Sequence, residues 1–283
     1  MPGTLNNAIL ALSKKILFQS EIPYITNNRI RFLIKNYFFA KLLNLRNIPF
    51  LGIGEPVRNY LINLKLRKEL IFPFAYFVKK KSEGNINIKN PLIFSGRLIK
   101  GKRIDLLLNA FSQVSKCRDK GLIIIGDGPE KNNLIELTDK LGIVEEVKFT
   151  GALAMNDIYK YYCNGSSLIL PSIHDGWGVV VNEAINVGMP AVISDSCGSK
   201  ELIENGNVGY IFKTDSIDSL KYYLEKLYSD EDTYKNLSDN CIKYSDKISP
   251  ESGAEYLIEI IDYIYSNTKN DKTKPNAPWL TQN

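Results

Sequence analysis

Histidine is almost absent from this chain of 283 residues, and His174 is the only one. A histidine-built metal centre is thereby excluded. Cysteine is scarce too: Cys117, Cys163, Cys197 and Cys241 are scattered, with no Cys-x-x-Cys pair. That spacing fits reduced structural thiols rather than a disulfide framework or a zinc site. No run approaches the ~20 apolar residues of a membrane span. The opening segment lacks the apolar stretch and small-residue cleavage site of a secretory leader, so a cytoplasmic location is expected. What remains is an ordinary globular composition, 44% hydrophobic and 24% charged, long enough for one large domain or two modest ones.

Acidic residues are missing from one third in particular. Residues 1–103 hold 19 Lys and Arg against 4 Asp and Glu, whereas the remainder holds 17 against 27. A basic, aromatic-rich first third suits an anionic partner. The chain carries no recognisable nucleic-acid module, so peripheral contact with an anionic membrane is the specific expectation. Plain solvation of a lysine-rich face is the alternative. Within this third, Ala8–Phe18 and Arg29–Leu45 carry apolar residues at helical spacing. Ile48–Ile53 reads as a strand, Glu55–Leu64 as a helix and Leu70–Phe77 as a strand. Lys79-Lys80-Lys81 then marks a linker.

From Pro91 onward, short apolar strands alternate with helices. Strands are predicted at Leu92–Ser95, Leu122–Ile125, Val147–Phe149, Leu168–Leu170 and Tyr210–Phe212, and helices at Arg103–Ser115, Glu130–Leu141, Ala154–Asn164 and Ile217–Tyr228. Continuous apolar strands between helices imply a parallel sheet covered on both faces. A last helix, Pro250–Tyr265, spaces Leu257, Ile260, Ile261 and Ile264 at three and four residues. The polar tail, residues 267–283, is expected to be disordered.

The stretch LILPSIHDGWGVVVNEAINVGMPAVIS, residues 168–194, organises the rest. It reads as strand, glycine-pinched turn, short helix and second strand, the helix closed by Gly188-Met189-Pro190. Parallel sheets bind ligands at such turns, outside the carboxyl ends of the strands. Glycines there let backbone N–H groups approach an anion. Asp175 and Glu183 flank the turn, and carboxylates read hydroxyls rather than phosphates. A phosphate cradle beside hydroxyl-reading acids suggests a nucleotide-sugar site. Two other loops leave strand ends toward it. One carries Arg97 and Lys102, suited to stabilising a departing diphosphate. The other is Gly126-Asp127-Gly128-Pro129, weak evidence alone because a plain tight turn explains it equally well. Trp177 suits packing better than ligand contact, and a structural role is also the commoner one for His174, Gly198 and Glu201.

Taken together, SGRLIKGKRIDLLLNAF, IIIGDGPE, VKFTGAL, the 168–194 stretch and GYIF resemble glycosyltransferase family 4, in order and at the right separations. The resemblance covers roughly Ile88 to Tyr228 and the closing helix. It implies a retaining enzyme of the GT-B fold: a Rossmann-like parallel-sheet donor domain plus a partial N-terminal acceptor domain. On that reading, residues 1–81 are acceptor-side and 82–248 bind the donor. Residues 249–266 form a closing helix packing back toward the N-terminal part. The resemblance further implies that Arg97 and Lys102 grip the donor diphosphate. Glu183 would bind ribose, and Asp175 would contact the transferred sugar as a catalytic residue. Backbone amides of Trp177, Gly178 and Val179 would meet phosphate or sugar, Gly126 and Gly128 of the GDGP turn and Leu153 would border the base, and Gly96 and Gly176 would also line the donor site. It implies no metal and no cofactor beyond the nucleotide diphosphate-sugar donor. The acceptor would be a glycolipid or polysaccharide of the cell-surface, lipopolysaccharide, O-antigen or capsule type. Two positions depart from the family pattern. Asp175 replaces a glutamate, shortening the reach by about 1.5 Å, and Arg103 replaces a glycine. Only about 80 residues precede the donor half, so the rival reading is a truncated, inactive protein that binds a nucleotide-sugar or a partner. A dinucleotide-binding dehydrogenase fits poorly, because GDGP lacks the third glycine and the acidic partner at a strand end.

Overall fold

The computed structural model describes residues 18–20, 29–80, 84–265 and 273–280. They divide into two compact units, residues 1–76 with 253–278, and residues 77–252 with 279–283.

In the first unit, strands β1 (Phe18–Ser20), β2 (Phe50–Ile53) and β3 (Ile71–Phe74) form a parallel sheet in that order. Helix α1 (Arg29–Arg46) links β1 to β2, and α2 (Glu55–Asn63) links β2 to β3. Ala40 and Leu43 of α1 meet Val57 and Leu61 of α2 in one apolar cluster with Phe50 and Ile71. The 3–4 spacing of those residues places them on one face of each helix. The helix Pro250–Tyr265 contributes its residues from Gly253 onward to this unit. There Tyr256 Oη donates to the Pro73 carbonyl at 3.1 Å, and Tyr263 meets Phe72 edge-on. The expected helix Ala8–Phe18 lies outside the described residues except for Phe18, which begins a strand instead.

The second unit is a six-stranded parallel sheet in the order β6-β5-β4-β7-β8-β9. Its strands are β4 (Leu92–Ser95), β5 (Leu122–Ile125), β6 (Val147–Gly151), β7 (Ser167–Leu170), β8 (Ala191–Ser194) and β9 (Gly209–Phe212). Every residue of β4, β7 and β8 is buried. That is why these strands read as unbroken apolar runs rather than as alternating ones. The connecting helices are α3 (Ile104–Ser112), α4 (Lys131–Lys140), α5 (Met155–Tyr162), α6 (Val180–Asn186), α7 (Lys200–Gly206) and α8 (Ile217–Leu227). The chain runs outward from β4 to β6, then returns to β7 on the other side of β4. Strand order therefore reverses between β4 and β7, the crevice where ligands of open α/β sheets bind.

Three features differ from expectation. Helix α9 (Glu231–Ser245) was not anticipated from its mostly polar residues. It buries Tyr234, Leu237, Cys241 and Tyr244 and is capped by Asp230, whose carboxylate accepts from Thr233 N–H at 2.8 Å. The boundary between units falls after Tyr76 rather than at Lys81. Val78 and Gly84 are tied into the second unit: Asn186 Nδ2 donates to the Val78 carbonyl at 2.7 Å, and Gly84 N–H to the Val187 carbonyl at 3.0 Å. Within the tail, residues 273–280 are ordered rather than disordered. Trp279 is fully buried against Phe77, and its carbonyl accepts from Tyr244 Oη at 2.5 Å. Burying an indole offsets the cost of ordering that short segment. The rest of the tail, residues 267–272 and 281–283, lies outside the described residues.

Candidate active site

The reversal between β4 and β7 brings two of the expected loops together. Residues 96–102 leave β4, and the glycine turn leaves β7. Ile173 N–H donates to the Gly101 carbonyl at 2.9 Å and joins them. Just beyond this link, Lys102 Nζ lies 2.5 Å from Asp175 Oδ2. The side chains are 21% and 15% exposed, so solvent screens the pair only in part. This ion pair spans 73 residues of sequence and was not foreseen. Arg97 stands at the mouth of the same loop, exposed, and makes no ion pair among the described residues.

The second loop packs directly onto the first. Gly96 N–H donates to Ile125, Leu98 N–H to Asp127 and Glu130 N–H to Leu98, each at 3.0 Å. This contact explains both glycines of the GDGP turn. A Cβ on Gly126 would fall 1.9 Å from the Gly96 carbonyl oxygen, and one on Gly128 would fall 2.4 Å from that of Leu98. The glycines serve loop-on-loop packing before any ligand arrives. Asp127 is turned to its own helix, where Lys131 and then the Gly128 N–H hold its carboxyl below the usual range. Leu153 follows β6, half-buried, and Gly126 N–H is tied to the Gly151 carbonyl at 2.9 Å.

The central turn is stitched to the loop after β8. Gly198 N–H donates to Asp175 at 3.0 Å, and Ser199 N–H to Trp177 at 2.8 Å. Trp177 is 1% exposed, and its indole N–H donates to Asn182 Oδ1 at 2.7 Å. Its ring is therefore a structural plug. Among the described residues, the backbone N–H groups of Gly176, Gly178 and Val179 donate no hydrogen bond. Backbone donors without an acceptor are what an anion site requires, and Asp175 at the start of this turn touches Lys102. Glu183, half-buried on α6, neighbours Tyr162. Burial, and then the Glu183 charge, push that buried phenol above its ordinary value. Opposite Asp175 in an isolated parallel bridge, Cys197 has its thiol raised by burial to about 12, which keeps it protonated and inert. Glu201 is buried at the start of α7 and His174 is exposed.

Arg103 is the residue whose importance the sequence hinted at but did not explain. It sits at φ 50° and ψ 42°, a left-handed conformation that favours glycine. Its guanidinium pairs with Asp105 at 3.0 Å and with Asp215. Two carboxylates thus hold an arginine in a backbone conformation suited to the glycine it replaces. No group of three or more His, Cys, Asp and Glu among the described residues could hold a metal.

Comparison with known proteins places the chain in a family. Residues 78–248 match the family model described as glycosyl transferases group 1. The chain is 33% identical over 175 residues to an uncharacterised glycosyltransferase of Haemophilus influenzae, covering 61% of this chain and 48% of that one. It is 28% identical over 187 residues to the N-acetylgalactosamine-N,N'-diacetylbacillosaminyl-diphospho-undecaprenol 4-alpha-N-acetylgalactosaminyltransferase of Campylobacter jejuni, covering 64% and 50%. The chain spans about half the length of the curated relatives it matches. The crystal structure of Anabaena HepE in complex with UDP superimposes with a TM-score of 0.78 at 18% identity, covering 90% of this chain and 75% of that one. That likeness shows the shared GT-B fold. With the family model matching well over half its residues, the chain belongs to the group 1 glycosyltransferases.

Proposed function

We propose that the chain supplies the donor site of a retaining glycosyltransferase, which moves a sugar from a nucleotide diphosphate-sugar to a glycolipid or polysaccharide acceptor. The observation that carries this reading is Lys102 at the strand-order reversal, beside N–H groups of the central turn that donate to nothing else among the described residues. Cleaving a glycosyl–phosphate bond leaves negative charge on the departing diphosphate. Fixed cations and backbone N–H groups stabilise that charge without reorganising, and removing one such donor costs about 2.7–4 kcal/mol of barrier. Arg97 and Lys102 are the cations in this role, and they make a metal unnecessary. Glu183 accepts from the ribose hydroxyls. Gly96, Gly126, Gly128 and Leu153 shape the wall toward the base.

The acceptor class rests on relatives whose names place them in glycan assembly, including a capsular polysaccharide biosynthesis glycosyltransferase of Staphylococcus aureus. A cell-surface glycan is the corresponding product class here. No helix among the described residues is long and apolar enough to cross a membrane. Helix α1 carries Arg29, Arg31, Lys35, Lys41 and Arg46 with no acidic residue, which suits peripheral attachment to anionic lipid at the cytoplasmic face. The test is calorimetric titration of the chain with UDP, GDP and ADP. One of them binds, and Lys102→Ala weakens it roughly tenfold or more, the scale of a lost charged hydrogen bond.

A further inference from the structure

The contact between Lys102 and Asp175 is built rather than incidental. The backbone on the lysine side is fixed where the Gly101 carbonyl accepts from Ile173 N–H at 2.9 Å. On the aspartate side the backbone is held twice, by Gly198 N–H donating to the Asp175 carbonyl at 3.0 Å and by Asp175 N–H donating to Ser196 at 3.4 Å. Asp175 is also in register with Cys197 as an isolated parallel bridge. A short carboxylate on so constrained a backbone has little freedom to swing, and the group it reaches is Lys102 Nζ, at 2.5 Å.

That placement has a consequence for an anionic ligand. A diphosphate that uses Lys102 meets an ammonium already neutralised by a carboxylate in direct contact. It must draw the lysine away or share it, and either way it approaches a second negative charge. In a partly buried pair this opposition is not removed by solvent screening. We infer that Asp175 is the resident counterion of Lys102, and that it competes with the diphosphate and so keeps the spent nucleotide from being retained. Asp175 is then a positioning residue acting through Lys102, rather than a ligand of the transferred sugar. The inference rests on the donor-site reading above.

The two roles separate when the sugar is left out. A sugar ligand has nothing to hold in a nucleoside diphosphate, so its removal leaves that affinity unchanged. A competing counterion affects the bare diphosphate directly. The experiment is calorimetric titration of wild type, Asp175→Asn, Lys102→Ala and the double variant with whichever of UDP, GDP and ADP binds the wild-type chain. Asp175→Asn keeps the side-chain shape, and a thermal melt confirms that each variant is folded. Asp175→Ser serves as a second neutral variant should the asparagine fail to fold. The expected result is tightening by about two- to fivefold on neutralising Asp175, on the scale of a partly exposed ion pair. The same substitution has a clearly smaller effect once Lys102 is alanine, because only direct charge repulsion is then left to relieve. Unchanged or weaker binding by folded Asp175→Asn overturns the inference and leaves the donor site standing. Tightening of undiminished size without Lys102 also overturns it, because the effect is then one of general charge. Failure of the folded wild type to bind any of the three overturns the donor-site reading and this inference with it.

Discussion

Replacing Gly126 by alanine tests whether the glycines of the GDGP turn are there for loop packing. The added Cβ would lie 1.9 Å from the Gly96 carbonyl oxygen and 2.9 Å from its carbon, closer than real Cβ contacts come. The obstacle is backbone, so no side chain can rotate away. Overpacking of this kind costs about 1–3 kcal/mol. The residue also sits at φ 137°, a region that L side chains rarely adopt, which adds about 1–3 kcal/mol. A total near 2–6 kcal/mol lowers the melting temperature of a unit this size by roughly 4–24 °C. Because Gly96 and Leu98 are hydrogen-bonded to the displaced loop, nucleotide binding weakens as well. Gly101→Ala is the matched control: it lies in the neighbouring site loop, with nothing within 4 Å of its added Cβ. Differential scanning calorimetry of both variants reads the difference. If Gly126→Ala melts with Gly101→Ala, within a degree or so of wild type, the close approach of the two loops is wrong.

Two further substitutions and conditions follow from the same structure. Arg103→Ala keeps the left-handed backbone at φ 50° and loses the pairs to Asp105 and Asp215, whereas Arg103→Gly loses the pairs and relieves the backbone. The glycine variant is expected to be the more stable of the two by about 1 kcal/mol in thermal melts, and equal melting points would contradict it. Burial raises the phenols of Tyr162, Tyr228 and Tyr234 well above their ordinary value. A folded pKa above the unfolded one means that the stabilisation is complete below the unfolded value, about 10, and is lost as pH rises past it. Alkaline titration followed by phenolate absorbance should therefore show a late group of tyrosines ionising together with loss of ellipticity. Rapid, reversible titration of all 16 near pH 10 would refute their burial.

The parallel sheet was legible because β4, β5, β7 and β8 are apolar at nearly every position, a pattern that only burial on both faces produces. The loops bearing Arg97, Lys102 and the glycine turn were legible for the same reason, since each directly follows such a strand. Helix α9 was not, because its five buried residues, one of them Ser245, are diluted by ten others, most of them polar. The Lys102–Asp175 pair could not be read from spacing. It depends on β4 and β7 being neighbours, a fact of strand order that no local pattern encodes. Trp177 and Trp279 show the limit of composition: one plugs the turn through Asn182 and the other folds an otherwise polar tail onto Phe77.

The proposed donor site holds a nucleotide diphosphate-sugar by its ribose and diphosphate. It is tested most directly by titrating the purified wild-type chain with UDP, GDP and ADP beside Glu183→Ala. Saturable binding of one nucleotide by wild type is expected, weakened roughly tenfold or more when the Glu183 carboxylate is removed. A folded wild-type chain that binds none of the three, or a Glu183→Ala variant that binds as tightly as wild type, would contradict it.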